Sequence, residues 1–255
     1  MKYVICGRDG SGKSRLAYEM EKKGFNVLKT YTTRKPRHEK EKSYNFISKD
    51  EVEQYDDRCL EMTYNDQVYF ARKSDIEAAD AMVVDPLGVM EVVQLFPDVS
   101  FHIVWVSAAN DDVRKQKAMN RSNNSDDPDQ EKKAMEKRAT DPRFDNFEQI
   151  LHMPTAIAPN ATCVHFIEND FNKNTMRDVA RALELQARYF RNVRTITKEL
   201  MDKDLVTQED GLVICNDKDG EHMTLPLEVA TDITISDEAM FNKIISTWLV
   251  HTNLN

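Results

Sequence analysis

The chain has 255 residues, a formal net charge of −9 and an isoelectric point near 5.3. An acidic chain of this kind lacks the general basic face on which duplex nucleic-acid binding depends. We therefore expect no nucleic-acid partner, although a local basic pocket can still bind a small anion. The length is sufficient to bury a sizeable core.

Membrane and disulfide chemistry are also disfavoured. No apolar stretch approaches the ~20 residues that a membrane span needs, and the sequence runs from Met1 directly into a strand-like segment. We therefore expect no secretion, no membrane partner and a cytoplasmic location. The cysteines have no paired spacing and no companion histidines, so we expect neither a zinc site nor a disulfide framework, but buried thiols. They are Cys6, Cys59, Cys163 and Cys215.

The first predicted strand, residues 2–6, leads into a glycine-rich loop. Residues 7–14 read Gly-Arg-Asp-Gly-Ser-Gly-Lys-Ser and precede a helical pattern over 13–22. This strand–loop–helix setting is that of a P-loop, whose backbone N–H groups surround a phosphate, whereas an ordinary glycine turn is the alternative. Lys13 would reach the β- and γ-phosphates, and the Ser14 hydroxyl would ligate Mg²⁺. The expected ATP-binding residues of the loop are Gly7, Asp9, Gly10, Ser11, Gly12, Lys13 and Ser14.

A second short strand over 26–28 precedes an insert that interrupts the βα rhythm over about 30–80. The insert is predicted to contain a helix that starts with a capping box at Ser48, and two strands over 59–64 and 67–71. Such an insert between parallel strands predicts a small subdomain.

The βα pattern resumes after the insert. Apolar runs at 81–85, 101–106 and 164–167 are typical of strands buried on both faces, and a long helix is predicted from Asn172 to about residue 194. The fold class is therefore α/β: a five-stranded parallel sheet of the P-loop type, flanked by helices, with the insert and a helical lid added to it.

Two further segments complete the predicted organisation. Residues from about 110 to 148 are highly charged, which fits either a solvated helical pair or a mobile helical lid. Residues 1–196 form the predicted main domain. Residues 197–255 form a C-terminal extension with a hairpin and an amphipathic terminal helix. Acidic residues at 217–221 fit a turn better than a calcium loop, because the full loop spacing is missing.

The insert carries a resemblance to a known family. Residues 30–37 read Thr-Tyr-Thr-Thr-Arg-Lys-Pro-Arg, and Tyr44 follows. This segment resembles the monophosphate-binding segment of guanylate kinases, with the P-loop at the matching distance upstream. Leu60-Glu61, Tyr69, Asp85-Pro86 and Asn169-Asp170 follow in the family's order, so that the resemblance covers roughly residues 2–190.

The resemblance implies a role for each matching residue. Asn169 would meet the adenine of ATP. Arg121 and Arg138 would be catalytic lid arginines beside Lys13, with Arg114 a possible third. The implied monophosphate-binding residues are Thr30, Arg34, Arg37, Tyr44, Glu61, Tyr69 and Asp85.

Two departures from the family are visible. The short lid start is replaced by Arg-Ser-Asn-Asn at 121–124, and the spacing to Arg138 is longer. Phe70-Ala71 replaces the glycine and hydroxyl residue that follow the tyrosine, so one guanine contact is missing.

The sequence thus predicts a nucleoside monophosphate kinase that transfers the ATP γ-phosphoryl group to GMP or dGMP with Mg²⁺. The alternatives are a kinase for another or a modified deoxynucleoside monophosphate, an inactive guanylate-kinase-like module that binds proteins, and a P-loop ATPase with another acceptor.

Overall fold

The computed structural model describes residues 1–36, 41–64, 66–122, 136, 141–152, 160–201, 206–209, 212–216 and 222–226. The chain divides into two compact units, Met1–Arg181 and Ala182–Asn255. The domain bounds predicted from the sequence remain predictions. Among the described residues, no helix combines the length and the apolar character that crossing a membrane requires.

Strands and helices alternate through most of the first unit, with a short 3₁₀ helix at Lys49–Gln54. The elements in chain order are β1 (Lys2–Cys6), α1 (Lys13–Glu21), β2 (Tyr31–Thr32), β3 (Asn45–Phe46), β4 (Arg58–Tyr64), β5 (Gln67–Arg72), α2 (Lys73–Ala78), β6 (Ala81–Val83), α3 (Pro86–Leu95), β7 (Phe101–Ala108), α4 (Asp111–Ser122), α5 (Pro142–Leu151), β8 (Ala161–Asn169), α6 (Thr175–Met201), β9 (Val206–Glu209), β10 (Leu212–Asn216) and β11 (His222–Pro226).

A parallel sheet in the order β6-β1-β7-β8 forms the centre of the first unit. Its strands are rich in apolar residues because both faces are covered, and Val4, Ile5 and Ile103 have no exposed surface. The sequence predicts five strands, whereas the described residues contain four and one isolated parallel bridge from Val27 to Ala81. The predicted strand at 26–28 lies beside β6, where Leu28 donates a backbone hydrogen bond of 2.8 Å to the Ala81 carbonyl.

The parallel arrangement determines where a site can form. The carboxyl ends of parallel strands meet at one edge of a sheet, and ligands of open α/β sheets bind there. The loop after β1, Asp85 after β6, the start of α4 after β7 and Asn169 at the end of β8 therefore belong to the same edge.

The insert forms a separate sheet in the order β3-β2-β5-β4. The strands β4 and β5 pair antiparallel, where the sequence predicts two strands, and a bulge interrupts the register between Cys59 and Met62. Within the bulge, Leu60 has a φ of +51°, which side chains rarely adopt. The capping box predicted at Ser48 begins the 3₁₀ helix, where Glu51 accepts a hydrogen bond of 2.7 Å from the Ser48 backbone nitrogen.

Only parts of the predicted lid and extension belong to the described residues. Of the predicted lid, the structure gives α4, the isolated residue 136 and α5, and residues 123–135 and 137–140 lie outside the described residues. In the second unit, β9, β10 and β11 form an antiparallel sheet in the order β11-β10-β9. The predicted terminal helix and the acidic group at 217–221 also lie outside the described residues.

Candidate functional site

The glycine loop between β1 and α1 is held in a conformation that requires glycine. Gly10 and Gly12 have φ angles of +82° and +110°. A Cβ atom at Gly10 would lie 2.3 Å from the carbonyl oxygen of Arg114, and one at Gly12 would lie 2.5 Å from Nδ2 of Asn169. The neighbouring strands and helices therefore approach the loop so closely that there is no room for a side chain at either position.

Two buried side chains fix the loop, one at the end of β8 and one in the first turn of α4. Nδ2 of Asn169 donates a hydrogen bond of 2.7 Å to the Ser11 carbonyl, and Oδ1 of Asn169 accepts one of 2.9 Å from the Phe171 backbone nitrogen. Nη1 of Arg114 donates a hydrogen bond of 2.9 Å to the Asp9 carbonyl. Asn169 is 4% exposed and Arg114 is 2% exposed, so both hydrogen bonds to the loop are protected from water. The structure thus gives Asn169 and Arg114 contacts with the loop backbone.

The ammonium group of Lys13 lies over the loop. Its Nζ donates hydrogen bonds of 2.6 Å to the Gly7 carbonyl and 2.8 Å to the Arg8 carbonyl, and lies 3.8 Å from a carboxylate oxygen of Asp9. Ser14, the second residue of α1, is exposed. The Ser11 hydroxyl is buried in the loop and has no hydrogen-bond partner among the described residues. A loop that receives an anion can use such a hydroxyl as a donor.

Arg8 connects the loop to α5. Its guanidinium forms an ion pair with Asp145, donates a hydrogen bond of 3.5 Å to the Asp141 carbonyl and lies 5.5 Å from the ring centroid of Phe144. Asp141 is the N-cap of α5 and accepts a hydrogen bond of 3.0 Å from the Arg143 backbone nitrogen. The start of α5 is therefore fixed next to the glycine loop.

Arg143 brings a further cation to this edge of the sheet. Its guanidinium is held by the Asp141 carboxylate, with an Nη2 to Oδ2 distance of 2.6 Å, and its side chain is 50% exposed. Hydrogen bonding to Asp141 raises the pKa of Arg143, and the charge of Asp85 contributes in the same direction. The Asp85 carboxylate also accepts a hydrogen bond of 2.8 Å from the Gly88 backbone nitrogen, so that it caps α3.

A second cluster of site residues forms in the insert. The guanidinium carbon of Arg34 lies 5.2 Å from the ring centroid of Tyr44, and the rings of Tyr44 and Tyr69 meet edge to face at 6.0 Å. The structure thus brings together three of the residues that the sequence predicts to bind a monophosphate. Thr30 lies in the same sheet region, where its carbonyl accepts a hydrogen bond of 2.9 Å from the Asn45 backbone nitrogen.

The guanidinium of Arg34 is engaged by a carboxylate. Glu41 accepts hydrogen bonds of 2.8 Å from Nη2 and 3.2 Å from Nη1 of Arg34. The two side chains are 15% and 7% exposed. Burial lowers the pKa of Arg34, but the hydrogen bonds with Glu41 and the charges of Glu41, Tyr69 and Tyr44 together outweigh burial, so the pKa is raised overall. A phosphate that binds Arg34 in this forked geometry has to replace the Glu41 carboxylate.

Glu61 occupies a more open position. It lies in β4, the edge strand of the insert sheet, and its side chain is 48% exposed. Its carboxylate accepts a hydrogen bond of 3.2 Å from Nε of Arg58. The backbone nitrogen of Leu60 donates to Glu91 at 2.7 Å, which anchors the bulge beside Glu61.

Three predicted arginines have no described side chain. Arg37 and Arg138 lie outside the described residues, and only the backbone of Arg121 is described, near the end of α4. Glu41, Arg8 and Arg143 belong to the site but were not predicted from the sequence. The Asp-Pro pair at 141–142 is a helix-start signal that could have placed Arg143 at a helix N-terminus.

The surroundings of the cysteines differ in one respect from the sequence prediction. Burial raises the pKa of the Cys6 thiol to about 12, as expected for an inert core residue. Cys163, however, does have companion histidines, because His165 lies two residues further along β8 and His102 lies across from it in β7. The sequence prediction that no cysteine has companion histidines is wrong: His165 is already near Cys163 in the sequence, and the sheet register brings His102 to it as well.

The chain is an α/β protein in which helices flank a parallel sheet and a glycine loop occupies the carboxyl edge of that sheet. No protein-family model and no curated protein matches the sequence significantly. Among solved structures, the chain is similar to guanylate kinase from Anaplasma phagocytophilum, with 12% sequence identity, 74% of this chain and 84% of that chain covered, and a TM-score of 0.43.

Proposed function

We propose that this chain is an ATP-dependent nucleoside monophosphate kinase of the guanylate kinase type, with GMP or dGMP as acceptor. The observation that carries the proposal is the glycine loop with Lys13 over it, fixed at the carboxyl edge of the sheet by Asn169 and Arg114. A loop of this kind, at the start of a helix, suits the binding of nucleotide phosphates.

The donor half of the site would hold ATP through the loop. The backbone N–H groups and the N-terminus of α1 favour negative charge, and Lys13 would move from the Gly7 and Arg8 carbonyls to the β- and γ-phosphates. Mg²⁺ fits beside Ser14, because that hydroxyl is exposed next to Lys13 and is a hard oxygen ligand. When bound, the ion would neutralise phosphate charge.

The acceptor half would use the cluster in the insert. Arg34 would exchange its forked hydrogen bonds with Glu41 for equivalent ones with the monophosphate, and Tyr44 and Tyr69 would add hydroxyl donors. Arg37 is the second predicted arginine of this clamp.

Phosphoryl transfer needs aligned reactants and neutralised charge more than covalent chemistry from the protein. Arg143 is suited to neutralising phosphate charge, because its side chain is half exposed. It also lies at the start of α5, which the ion pair of Arg8 with Asp145 holds next to the loop. We therefore propose that Arg143 acts together with the predicted lid arginines, Arg121 and Arg138, in neutralising charge during phosphoryl transfer.

A coupled-enzyme measurement of ADP release with Mg-ATP tests the proposal against every ribo- and deoxynucleoside monophosphate. We expect GMP or dGMP to be the best acceptor. The Lys13→Ala variant should lose at least ~10²-fold in turnover, the scale of one preorganised electrostatic contact. The exposed Lys22, in the turn after α1, gives a matched control as Lys22→Ala.

Each other outcome favours a different function. If another acceptor outperforms GMP and dGMP, the chain is a kinase for another or a modified deoxynucleoside monophosphate. ADP release without any acceptor would indicate an ATPase. No ADP release and no magnesium-dependent ATP binding would indicate a protein-binding module. Full turnover in Lys13→Ala would exclude the loop as the site.

A further inference from the structure

Three side chains that commonly ligate transition metals meet on one face of the parallel sheet. His102 belongs to β7, whereas Cys163 and His165 are two residues apart in β8 and therefore lie on the same face. The register pairs His102 with Cys163 and Val104 with His165. The ring of Tyr3 packs against both imidazoles, at 5.5 Å from His102 and 6.4 Å from His165.

Two of the three separations between the ligand atoms match those of a tetrahedral metal site. Nδ1 of His102 lies 3.2 Å from Nε2 of His165, and Sγ of Cys163 lies 3.5 Å from the same nitrogen. All three ligand atoms lie within 4.8 Å of one another. A tetrahedral zinc ion at its usual bond lengths separates two nitrogen ligands by about 3.3 Å and a nitrogen from a sulfur by about 3.6 Å. Two of the three separations therefore already have the values that zinc requires.

We propose that His102, Cys163 and His165 form a binding site for one zinc-type divalent transition ion, with a solvent molecule as the fourth ligand. A thiolate with two imidazoles selects zinc or its neighbours over magnesium and calcium, which prefer oxygen ligands. His102 is buried, whereas Cys163 and His165 are half-buried on an edge strand, so that an ion and a water molecule can reach the site.

The metal site is separate from the proposed kinase site. His165 precedes Asn169 by four residues, which corresponds to about 13 Å along a strand. The site would join β7 to β8 and stabilise the folded state by mass action, because the three ligands come together only in the folded sheet. The expected effect of the ion is therefore on stability, and it does not depend on which nucleotide the chain binds.

Cobalt binding to the full-length protein, freed of metal by a chelator, tests the proposal. We expect one equivalent of Co²⁺ to give the thiolate-to-cobalt charge-transfer absorption and the intense visible bands of four-coordinate cobalt. Zn²⁺ should abolish these bands by displacement and raise the unfolding temperature. The Cys163→Ser variant should lose the charge-transfer band, and His165→Gln should bind Co²⁺ at least ~10-fold more weakly.

The chain offers matched controls for each variant. Cys59→Ser removes a partly buried cysteine of β4, and His152→Gln removes an exposed histidine that stacks on Phe166. Both should keep the wild-type cobalt spectrum, and so should Lys13→Ala. Absence of the charge-transfer band in the wild-type protein, or its persistence in Cys163→Ser, would overturn the proposal and leave a hydrogen-bonded cluster. The wild-type spectrum decides the matter even where a variant fails to fold.

Discussion

The side-chain amide of Asn169, at the end of β8, donates a hydrogen bond of 2.7 Å to the backbone carbonyl of Ser11, 158 residues earlier in the chain. Ser11 lies in the loop that follows β1, Asn169 ends β8, and β7 lies between these two strands in the sheet. The shape of the glycine loop thus depends on a strand that is remote in sequence.

We expect Asn169→Ala to weaken triphosphate binding by about 10-fold and to destabilise the fold by ~1–3 kcal/mol, because the buried Ser11 carbonyl loses its donor. Calorimetry with ATP, GTP and inorganic tripolyphosphate, together with urea unfolding, measures both effects. Equal losses for the three ligands indicate positioning of the loop, whereas a loss confined to ATP would instead support the adenine contact implied by the family resemblance. Asn174→Ala, in the exposed turn before α6, is the control.

Glu41 and the monophosphate should compete for Arg34. Glu41→Gln removes the charge that holds the guanidinium, so we expect monophosphate affinity to rise by about 3- to 10-fold with ATP affinity unchanged. Arg34→Ala should weaken the monophosphate alone, because it removes charge-assisted contacts worth ~1.5–3 kcal/mol each. Titration calorimetry with GMP and with ATP gives both affinities.

The exposed Glu53, which lies 3.6 Å from Arg58, provides the matched control as Glu53→Gln. If Glu41→Gln weakens GMP as much as Arg34→Ala does, Glu41 positions the guanidinium rather than competing for it.

The ion pair between Arg114 and Asp111 should make stability depend on pH. Hydrogen bonds from Arg114 and then from Lys115 lower the pKa of Asp111 to about 2, below the value of about 3.9 expected in the unfolded chain. The stabilisation is therefore complete above about pH 4 and is lost as the pH falls through 2. Asp111→Asn should cost about 1 kcal/mol at pH 7, since the Asp111 side chain is 55% exposed and water screens the pair.

Urea unfolding of wild type and Asp111→Asn across this range measures the effect. The difference in unfolding free energy between the two proteins should shrink as the pH falls from 4 towards 2. The neighbouring exposed Asp112→Asn should show no such convergence. A difference that stays constant with pH would show that the charge of Asp111 is unimportant.

Base selection should depend on Glu61. Its carboxylate can accept from N1–H and the 2-amino group of guanine together, whereas Ala71 cannot supply the hydroxyl expected beside it. We therefore expect guanine to be preferred with modest discrimination, and Glu61→Gln to lower the ratio of kcat/KM for dGMP over dAMP by about 10-fold. Steady-state kinetics with dGMP, GMP, dAMP, dCMP and dTMP measures the ranking. If the ranking of the five substrates is unchanged in Glu61→Gln, the proposal that Glu61 selects guanine is wrong.

The sequence by itself predicted features that depend on residues close together in the chain. The loop at 7–14 and the paired strands of the insert follow from short-range signals, because turn, strand and cap preferences act over a few residues. The resemblance to guanylate kinases also placed Arg34, Tyr44 and Tyr69 in one cluster, and the structure brings these three together.

Only the tertiary structure decided which distant side chains meet. The strand order β6-β1-β7-β8 is not the chain order, so the contact of Ser11 with Asn169 could not be predicted from the motifs. The contact of His102 with Cys163 depends on the register of β7 with β8, which the motifs do not determine either. The forked pair of Arg34 and Glu41, which are 7 residues apart in the chain, was likewise not predicted. Local sequence determines backbone conformation, whereas strand order and register determine which side chains share a face, because each strand places alternate residues on opposite sides of the sheet.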